Sequence, residues 1–558
     1  MAKHFLFSFC WLLFTTACLA HHSELDRFNK CQLDSINALE PDHRVESEAG
    51  LTETWNPNHP ELQCAGVSLI RRTIDPNGLH LPSYSPSPQL IFIIQGKGVL
   101  GLAVPGCPET YEEPRSQSRQ QQQQRDSHQK IRRFSKGDVI AIPPGIPYWT
   151  YNYGDEPLVA ISLLDTSNTL NQLDSTPRVF YLGGNLPEAE FPETQEQHPQ
   201  RHSSPIGRRG GQQQQEEESE EQNKGKSVLS GFSAEFLAHS LDTKEETAKK
   251  LQSPRDQRGQ IVKVEKGLHI ISSELQEEEQ QEEEEEEERE QRHHKDSERE
   301  DEDEDEKEEQ EQRQTKHSKK EEEDEDEPRS HESRKWKKHT KEKKRESHGR
   351  GGEKQEQEKK EEEEEEIQRQ HSKGGKNGLE ETICSSKIRE NIARPSRADL
   401  YNPRVGRIST VNSLTLPILR KLRLSAEYVL LYRNGIYAPH WNNNANSLLY
   451  VIRGQGRVRI VNSQGNPVFD NKVRKGQLVV VPQNFVVAQQ AGNEEGLEYV
   501  VFKTNDRAAV SHVKQVFRAT PAEVLANAFG LRKSEVAQIK YNGNRGPLIQ
   551  PQSQPQSL

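Results

Sequence analysis

Hydrophobic residues recur along the chain in two similar series of short runs, and each series predicts β-strands. The matching runs lie at 89–98 and 447–456, at 136–143 and 475–482, and at 158–164 and 497–503. The first run of each series contains a Gly-x-Gly, predicted to be a turn between two strands, and the second ends on a proline, which ends a strand. Short strands with glycine and proline at their corners are typical of antiparallel barrels, so this internal repeat predicts two of them.

Each predicted barrel is followed by a segment with helical spacing. Residues 233–238 match residues 521–526, and the match runs without a gap over about twenty residues. Ser233 or Thr520 can cap a helix whose apolar residues recur at helical spacing. We expect each helical lobe to pack on its own barrel, and an amphipathic lobe at the same place in both halves can also pack against a neighbouring subunit.

A long central tract contains almost nothing that a fold could bury. Residues 276–376 carry 42 Asp and Glu, 25 Lys and Arg, and only Trp336 and Ile367 as apolar side chains. Such a segment buries too little apolar surface to offset the entropy of ordering it, so it is predicted to be disordered. Shorter hydrophilic insertions at 112–130 and 188–226 are predicted to be surface loops.

The first twenty residues have the pattern of a secretory signal peptide. Lys3 and His4 precede a largely apolar run, and small residues close the segment at residue 20. The run is shorter than the roughly 20 apolar residues that a membrane span needs, and no later segment reaches that length. We therefore expect a soluble protein of the secretory pathway with no membrane partner.

Four cysteines follow the predicted signal peptide, and an oxidising compartment favours disulfides between them. They are Cys31, Cys64, Cys107 and Cys384. Four cysteines allow three pairings, and sequence alone does not choose among them. A bond that reaches Cys384 would join the two halves of the chain.

The charge of the chain changes sign at one Asn-Gly pair, Asn377-Gly378. Residues 21–377 have a net charge of −26, and residues 378–558 have a net charge of +12. An Asn-Gly pair is usually a tight turn, which suits the pairs that begin at residues 77, 434 and 542. Asn377-Gly378 instead ends the predicted disordered tract, where a protease can draw the chain into its cleft. Position therefore favours a processing site there over a turn.

Together these features resemble a bicupin, and specific motifs narrow the resemblance to the legumin-type (11S) seed storage globulins, closest to the glycinins. The motifs lie at 38–44, 105–110, 377–384 and 397–403. The resemblance implies a mainly β fold, with two antiparallel β-barrels (jelly rolls), a small helical lobe after each, and disordered acidic insertions. The implied divisions are a signal peptide at 1–20, an N-terminal cupin domain at 21–275, an acidic variable region at 276–377 and a C-terminal cupin domain at 378–558.

The same resemblance implies how the protein is processed and what it does. An asparaginyl endopeptidase would cut between Asn377 and Gly378 into an acidic and a basic chain. Cys107 and Cys384 would join the two chains, and Cys31 and Cys64 would pair within the acidic chain. The product would be a nitrogen reserve without a cofactor, assembled as trimers and then hexamers and carried through the endoplasmic reticulum to the protein storage vacuole.

A metal-dependent cupin enzyme is the alternative function. Cupin enzymes hold a metal with a His-x-His, a Glu and a further His, because a divalent metal needs several convergent nitrogen and oxygen ligands. The corresponding places, counted from the Gly-x-Gly and from the later glycine of each half, are Pro82, Tyr84, Gln89 and Tyr148 in the first half, and His440, Asn442, Ser447 and Val487 in the second. One potential ligand out of eight disfavours an enzyme, and a lone histidine is more often a satisfied polar residue than a metal ligand.

Two further alternatives depend on charge alone. The basic half suggests nucleic acid, but its Lys and Arg residues are scattered among strands, and the secretory route keeps the protein away from nucleic acid. The acidic tract contains His293, His294, His317 and His331, which suggests loose cation binding. No ligand spacing recurs there, so a solvated polyelectrolyte is favoured over a cation site.

Overall fold

A computed structural model describes most of the two repeated halves. The described residues are 31, 33–104, 131–168, 176–186, 189–191, 226–252, 256–268, 386–541 and 546–550. The predicted signal peptide, the insertion at 112–130, the acidic tract, Asn377, Gly378, Cys107 and Cys384 all lie outside these ranges. No helix among the described residues combines the length and the hydrophobicity needed to cross a membrane.

The first half forms two antiparallel sheets. Its strands are β1 (His43–Ser47), β2 (Gly50–Thr54), β3 (Val67–Ile74), β4 (Gly78–Tyr84), β5 (Gln89–Gln95), β6 (Lys97–Leu102), β7 (Ile131–Ser135), β8 (Asp138–Ile142), β9 (Tyr148–Tyr151), β10 (Leu158–Asp165), β11 (Phe180–Tyr181) and β12 (Ile261–Lys263). One sheet has the order β1-β2-β3-β10-β5-β8 and the other the order β11-β4-β9-β6-β7, with β12 also paired to β4.

The second half forms one continuous antiparallel sheet. Its strands are β14 (Leu400–Asn402), β15 (Gly406–Val411), β16 (Ser425–Leu431), β17 (Ile436–Asn442), β18 (Ser447–Val461), β19 (Pro467–Arg474), β20 (Leu478–Val481), β21 (Val486–Ala491), β22 (Leu497–Lys503), β23 (Val510–His512) and β24 (Leu548–Ile549). Their order is β14-β15-β16-β22-β18-β21-β17-β23, with β19 and β20 added on β18 and β24 on β17. The two predicted β-barrels are therefore confirmed.

The Gly-x-Gly motif of the second half is a bend within one strand, and its prediction as a turn between two strands is wrong. In the first half the prediction is confirmed, because Gly96 separates β5 from β6. β18 continues through Gly454 for 15 residues, with a register shift between Val451 and Arg453. Gly454 has φ +77°, and a Cβ there would overlap the carbonyl oxygen of Gly496, so glycine suits both the left-handed backbone and the close approach. Gly96, with φ +83°, also has a left-handed backbone, but β5 and β6 on either side of it are separate strands of different sheets.

The proline-ended runs are the strands β8 and β20, as predicted, and both are buried along their whole length. In β8, Ile140 and Ile142 face the interior of the first barrel, whereas Val139 and Ala141 face a cluster shared with the second half. β20 alternates in the same way between the second barrel and the shared cluster. Apolar contacts on both faces explain why these runs are continuous and do not alternate with polar residues.

The shared cluster lies between the two barrels and joins them into one body. Its largest side chains include Trp55 and Phe92 from the first half and Tyr428, Tyr450 and Phe502 from the second. The rings of Trp55 and Tyr450 meet edge to face with centroids 6.1 Å apart.

A short segment of each half pairs with the sheet of the other. The strand β13 (Arg389–Asn391) pairs with β8 of the first barrel, with Arg389 opposite Ile140. In the opposite direction, Leu39 exchanges two backbone hydrogen bonds with Leu478, of 2.8 and 2.9 Å. We call these the exchanged segments, residues 33–39 and 386–392, and they make each barrel depend on both halves of the chain.

The remaining helices lie beside the strands and after each barrel. They are α1 (Pro60–Ala65), α2 (Ala234–Ser240), α3 (Glu245–Leu251), α4 (Leu419–Leu422), α5 (Val513–Ala519), α6 (Ala522–Phe529) and α7 (Lys533–Tyr541), with short 3-10 turns at Val228–Gly231 and Pro395–Arg397. Ser233 caps α2 as predicted, because its Oγ accepts a hydrogen bond from the Phe236 backbone amide. Thr520 does not cap α6: it ends α5, and its hydroxyl donates to the Val516 carbonyl.

Candidate functional site

The interior of the second barrel contains a small polar cavity. Its volume is about 20 Å³, which has room for a water molecule. The cavity lies among strands β16, β17, β18, β20, β21 and β22. It is lined by Glu427, Tyr437, His440, Asn442, Ser447, Leu449, Val481, Val487, Gln489, Tyr499, Val501 and Lys503.

A buried ion pair is the only charged pair among the residues that line this cavity. The Lys503 ammonium donates to a Glu427 carboxylate oxygen at 2.6 Å, and the two side chains are only 4% and 7% exposed. The register of β16 and β22 places Glu427 opposite Val501, so Lys503 is its diagonal neighbour on the same face of the sheet. Strand geometry therefore holds the pair together.

His440 lies in the same interior as a neutral imidazole. Its Nδ1 donates to the Ala438 carbonyl at 2.8 Å, and its ring stacks on Tyr437 with centroids 3.9 Å apart. Burial lowers the pKa of His440 to about 4. Because Nδ1 carries the proton, the lone pair is on Nε2.

Four of the polar groups around the cavity have no hydrogen-bond partner within the described part of the chain. They are Asn442 Oδ1, Ser447 Oγ, Gln489 Oε1 and Tyr499 OH, all on buried residues. Two of these atoms are amide oxygens, which can only accept. The cavity therefore offers acceptors to a small donor or to a cation.

The structure brings all four metal-ligand places of the second half to this cavity, namely His440, Asn442, Ser447 and Val487. Sequence reasoning missed Glu427 and Lys503, although a signal was present. Each is a charged residue within an otherwise mostly apolar strand, and such residues are buried only when paired.

In the first barrel two of the predicted metal-ligand positions, Pro82 and Tyr84, are wrong. Tyr84 points away from the interior and stacks on Phe180 at 5.1 Å, and Pro82 is only half-buried. The buried positions are Ser83 and Ser85. Ser83 lies opposite Tyr148 as His440 lies opposite Val487. Ser83 precedes Gln89 by six residues, whereas His440 precedes Ser447 by seven, so the count back from Gly96 goes one residue too far.

The interior of the first barrel also contains a buried ion pair. Arg72 makes two hydrogen bonds of 2.9 and 3.0 Å to Glu190, and it donates to the Tyr148 hydroxyl at 3.2 Å. Tyr148 in turn donates to Gln89 at 3.3 Å. Glu190 falls in the insertion predicted to be a surface loop, and that prediction is wrong at Glu190, because the Arg72 guanidinium holds its carboxylate inside the barrel.

Neither interior fits a resident divalent metal. Within the described ranges, no three His, Cys, Asp or Glu side chains lie close enough together to hold an ion. The cavity lining of the second barrel combines one imidazole with one carboxylate, and that carboxylate is neutralised by Lys503; the His512 ring lies behind His440, with centroids 5.7 Å apart, and does not line the cavity. A divalent cation would therefore meet an ammonium instead of a net negative charge.

The helical lobes expose a second kind of surface. Large apolar side chains are exposed on both lobes, and three of them on each lobe lie at matching places in the repeat. They are Phe232, Phe236, Leu241 and Leu251 on the first lobe, and Val516, Val524, Phe529 and Ile539 on the second. Apolar groups this concentrated on two lobes are typical of protein interfaces.

The cysteines and the Asn-Gly seam are only partly described. A disulfide joins Cys31 to Cys64. The pairing of Cys107 with Cys384 and the cut between Asn377 and Gly378 remain predictions. The first strand that the structure describes after the seam is β13, which begins at Arg389 and pairs with β8 of the first barrel.

Comparison with known proteins identifies the family. The cupin family matches residues 36–188 and 390–537. Legumin J of Pisum sativum is 70% identical over 566 residues that span 100% of both chains. Glycinin G4 of Glycine max is 61% identical and covers 98% of this chain and 97% of its own. The chain belongs to the legumin-type 11S seed storage globulins.

Solved structures agree with this assignment. Procruciferin, the 11S globulin of Brassica napus, is 31% identical, covers 94% of this chain and 99% of its own, and has a TM-score of 0.65. Oxalate decarboxylase of Bacillus subtilis, a protein with Mn(II) centres, shares the fold at 10% identity, with a TM-score of 0.54 over 92% of this chain and 89% of its own. Because its close relatives are legumins and glycinins, this 11S globulin is a seed storage protein and not an enzyme.

Proposed function

We propose that this storage globulin accumulates as a processed hexamer, in which helical lobes hold three subunits in a ring and two rings then pack together. The observation that carries the proposal is the pair of exposed apolar surfaces on the two lobes of each subunit. No described side chain of either lobe covers these surfaces. Burying apolar surface in an interface stabilises the assembly by about 25 cal/mol for each Å² removed from water.

Each lobe presents a stacked or tilted aromatic pair. The rings of Phe232 and Phe236 are 5.7 Å apart on the first lobe, and those of Phe517 and Phe529 are 5.5 Å apart on the second. Two different surfaces on one subunit favour a head-to-tail contact, in which the first lobe of one subunit meets the second lobe of the next. Such a contact closes into a ring when the rotation permits.

Single charge substitutions test this arrangement by sedimentation velocity. Phe236 and Phe529 are each 57% exposed, so Phe236→Glu and Phe529→Glu should fold normally yet sediment as monomers. Leu414→Glu is the matched control, because Leu414 is 70% exposed and lies outside both lobes. The control should remain a trimer.

Mixing the two variants distinguishes head-to-tail from like-to-like contacts. An equal mixture of the Phe236→Glu and Phe529→Glu proteins contains one intact first lobe and one intact second lobe, so it should form dimers that cannot close. Dimers of either variant alone would show instead that like lobes meet, and trimers of both variants would overturn the role of the lobes.

Cleavage completes the proposed assembly. An asparaginyl endopeptidase cuts between Asn377 and Gly378, and a Cys107–Cys384 disulfide then links the acidic and basic chains. Support comes from the charge change at the seam and from the family. Gel electrophoresis of seed protein with and without reductant should show two chains only under reduction, and Asn377→Gln should leave one chain. A single band of full length from mature seeds under reduction would contradict this.

The secretory route follows from the amino-terminal pattern. Residues 1–20 act as a signal peptide, and the protein passes through the endoplasmic reticulum to the protein storage vacuole. Sequencing of the mature acidic chain should find its amino terminus at or near residue 21. Immunolocalisation in seed tissue should place the protein in storage vacuoles, and protein that stays in the cytosol would refute the route.

A further inference from the structure

The buried ion pair of the second barrel occupies the place where other barrels of this fold bind a metal. Glu427 and Lys503 line the same 20 Å³ cavity as the four counted ligand places. A cavity of this volume leaves no room for a hydrated metal ion beside the ammonium. The storage function uses neither charge.

We propose that the Lys503 ammonium replaces the metal cation in the second barrel, and that it covers a latent divalent-cation site formed by Glu427 and His440. The cation in the barrel is thus part of the protein, because the ammonium is attached to the backbone through the lysine side chain. The barrel keeps a central positive charge without any supply of metal.

The charges around the cavity cancel, so the cavity does not attract a metal cation. Glu427 contributes one negative charge and Lys503 one positive charge, so the pair has no net charge. Removing the ammonium leaves a buried carboxylate without a counter-ion, which is strongly unfavourable unless a cation or a proton replaces it.

The remaining groups suit a cation once Lys503 is gone. Glu427 supplies carboxylate oxygens, and His440 supplies the Nε2 lone pair. Asn442 and Gln489 each direct a buried amide oxygen with no partner in the described ranges to the cavity. Imidazole and oxygen ligands of this kind bind Zn²⁺, Co²⁺ and Mn²⁺.

The first barrel independently repeats the arrangement with different residues. The Arg72 guanidinium pairs with buried Glu190 and donates to Tyr148, which occupies a ligand place. A side-chain cation therefore reaches the counted ligand places in both barrels, although Arg72 and Lys503 lie on strands that are not equivalent, β3 and β22.

The test restores one histidine ligand by substitution and compares metal binding in the presence and in the absence of the Lys503 ammonium. Asn442 lies two residues beyond His440 on the same face of β17, so Asn442→His restores a His-x-His. We compare the full-length wild-type protein, Asn442→His alone, and Asn442→His combined with Lys503→Met. Melting temperature is measured with and without Zn²⁺, Co²⁺ or Mn²⁺, metal content is measured after desalting, and Co²⁺ absorption reports coordination.

Only the combined variant should respond to metal. It should retain about one ion per subunit and melt several degrees higher with Zn²⁺, and adding His440→Ala should abolish both effects. Asn442→His with Lys503 retained should stay unresponsive. Equal binding by Asn442→His alone would overturn the proposal, because the ammonium would not then exclude the metal, and no binding by the combined variant would overturn the latent site.

Refolding keeps the test decisive if the combined variant does not fold without metal. The denatured variant is diluted into buffer with Zn²⁺ or, as a control, with Mg²⁺. Recovery of soluble, β-rich protein in Zn²⁺ alone supports a cation site, because metal affinity then supplies folding free energy. Equal failure in both buffers overturns the proposal.

Discussion

Cleavage at Asn377 followed by reduction should leave the two chains associated, because the exchanged segments hold each chain in the barrel of the other. Residues 33–39 belong to the acidic chain and pair in the second barrel, and residues 386–392 belong to the basic chain and pair in the first. The perturbation is reduction of the cut protein under native conditions, which removes the proposed Cys107–Cys384 bond together with the Cys31–Cys64 bond within the acidic chain.

The magnitude follows from four side chains of the exchanged segments. Ile36, Leu39, Ile388 and Ile392 are all buried against the opposite half or its edge. Burial of such side chains contributes about 1.5–3 kcal/mol each, or about 6–12 kcal/mol together. A disulfide typically contributes about 2–5 kcal/mol. The exchanged segments alone thus outweigh the bond, and the shared cluster between the barrels adds to them.

Native mass spectrometry and sedimentation with and without reductant are the assays. Loss of about 2–5 kcal/mol from the interchain bond should lower the melting temperature by about 4–20 °C, at about 2–4 °C for each kcal/mol, without separating the chains at micromolar concentration. Free acidic and basic chains in reducing native buffer would refute the reasoning.

A matched pair of variants locates the effect in the exchanged segment. Ile392 is fully buried, so Ile392→Asp places a carboxylate without a cation in the shared cluster, and reduction of the cut variant should release the chains. Leu414→Asp is the control, because Leu414 is exposed, and it should behave as the wild type. Equal behaviour of the two variants would show that the exchanged segment contributes little.

Three further predictions concern pH, the acidic tract and assembly. Burial, and then the nearby charge of Arg72, lowers the pKa of His80 well below its ordinary 6.5, so the unfolded chain binds a proton that the folded chain excludes. The free energy of unfolding should fall by up to about 1.4 kcal/mol per pH unit below pH 6.5, and His80→Phe should flatten the slope of melting temperature against pH; an unchanged slope would contradict this. Deletion of residues 276–376 should change the melting temperature by less than about 10 °C, because the tract offers two apolar side chains; a larger fall would mean that the tract is packed. Cleavage should permit trimers to form hexamers, with salt assisting by screening within about 8–10 Å, and hexamers of uncut Asn377→Gln at low salt, in equal amount to wild type, would reject that.

The strands are predicted well from the sequence, because the residues that indicate a strand lie within a few positions of one another. Apolar runs bounded by glycine and proline became β8 and β20, and the later runs became β10 and β22. The prediction of a turn at the Gly-x-Gly motif of the second half is wrong, because a positive φ serves a bend in a continuous strand as well as a turn between two strands. At Gly454 the deciding factor is the approach of the Gly496 carbonyl, which the surrounding sequence does not contain.

Long-range features left no local signal. Leu39 pairs with Leu478, from which it is separated by most of the sequence, and Arg389 pairs with Ile140. Glu190 looked like part of a hydrophilic loop because its partner, Arg72, is more than a hundred residues away.

The positions of the seam and the exchanged segments explain together how the chain tolerates a cut. The last described strand before the acidic tract is β12, paired with β4, and the first strand after the seam is β13, paired with β8. Both flanks of the tract are therefore fixed to the first barrel, and the basic chain crosses to the second barrel only after Asn391. A cut between Asn377 and Gly378 falls outside every strand pairing among the described residues. The loss is one covalent connection, whereas the hydrogen bonds and buried side chains that join the halves remain.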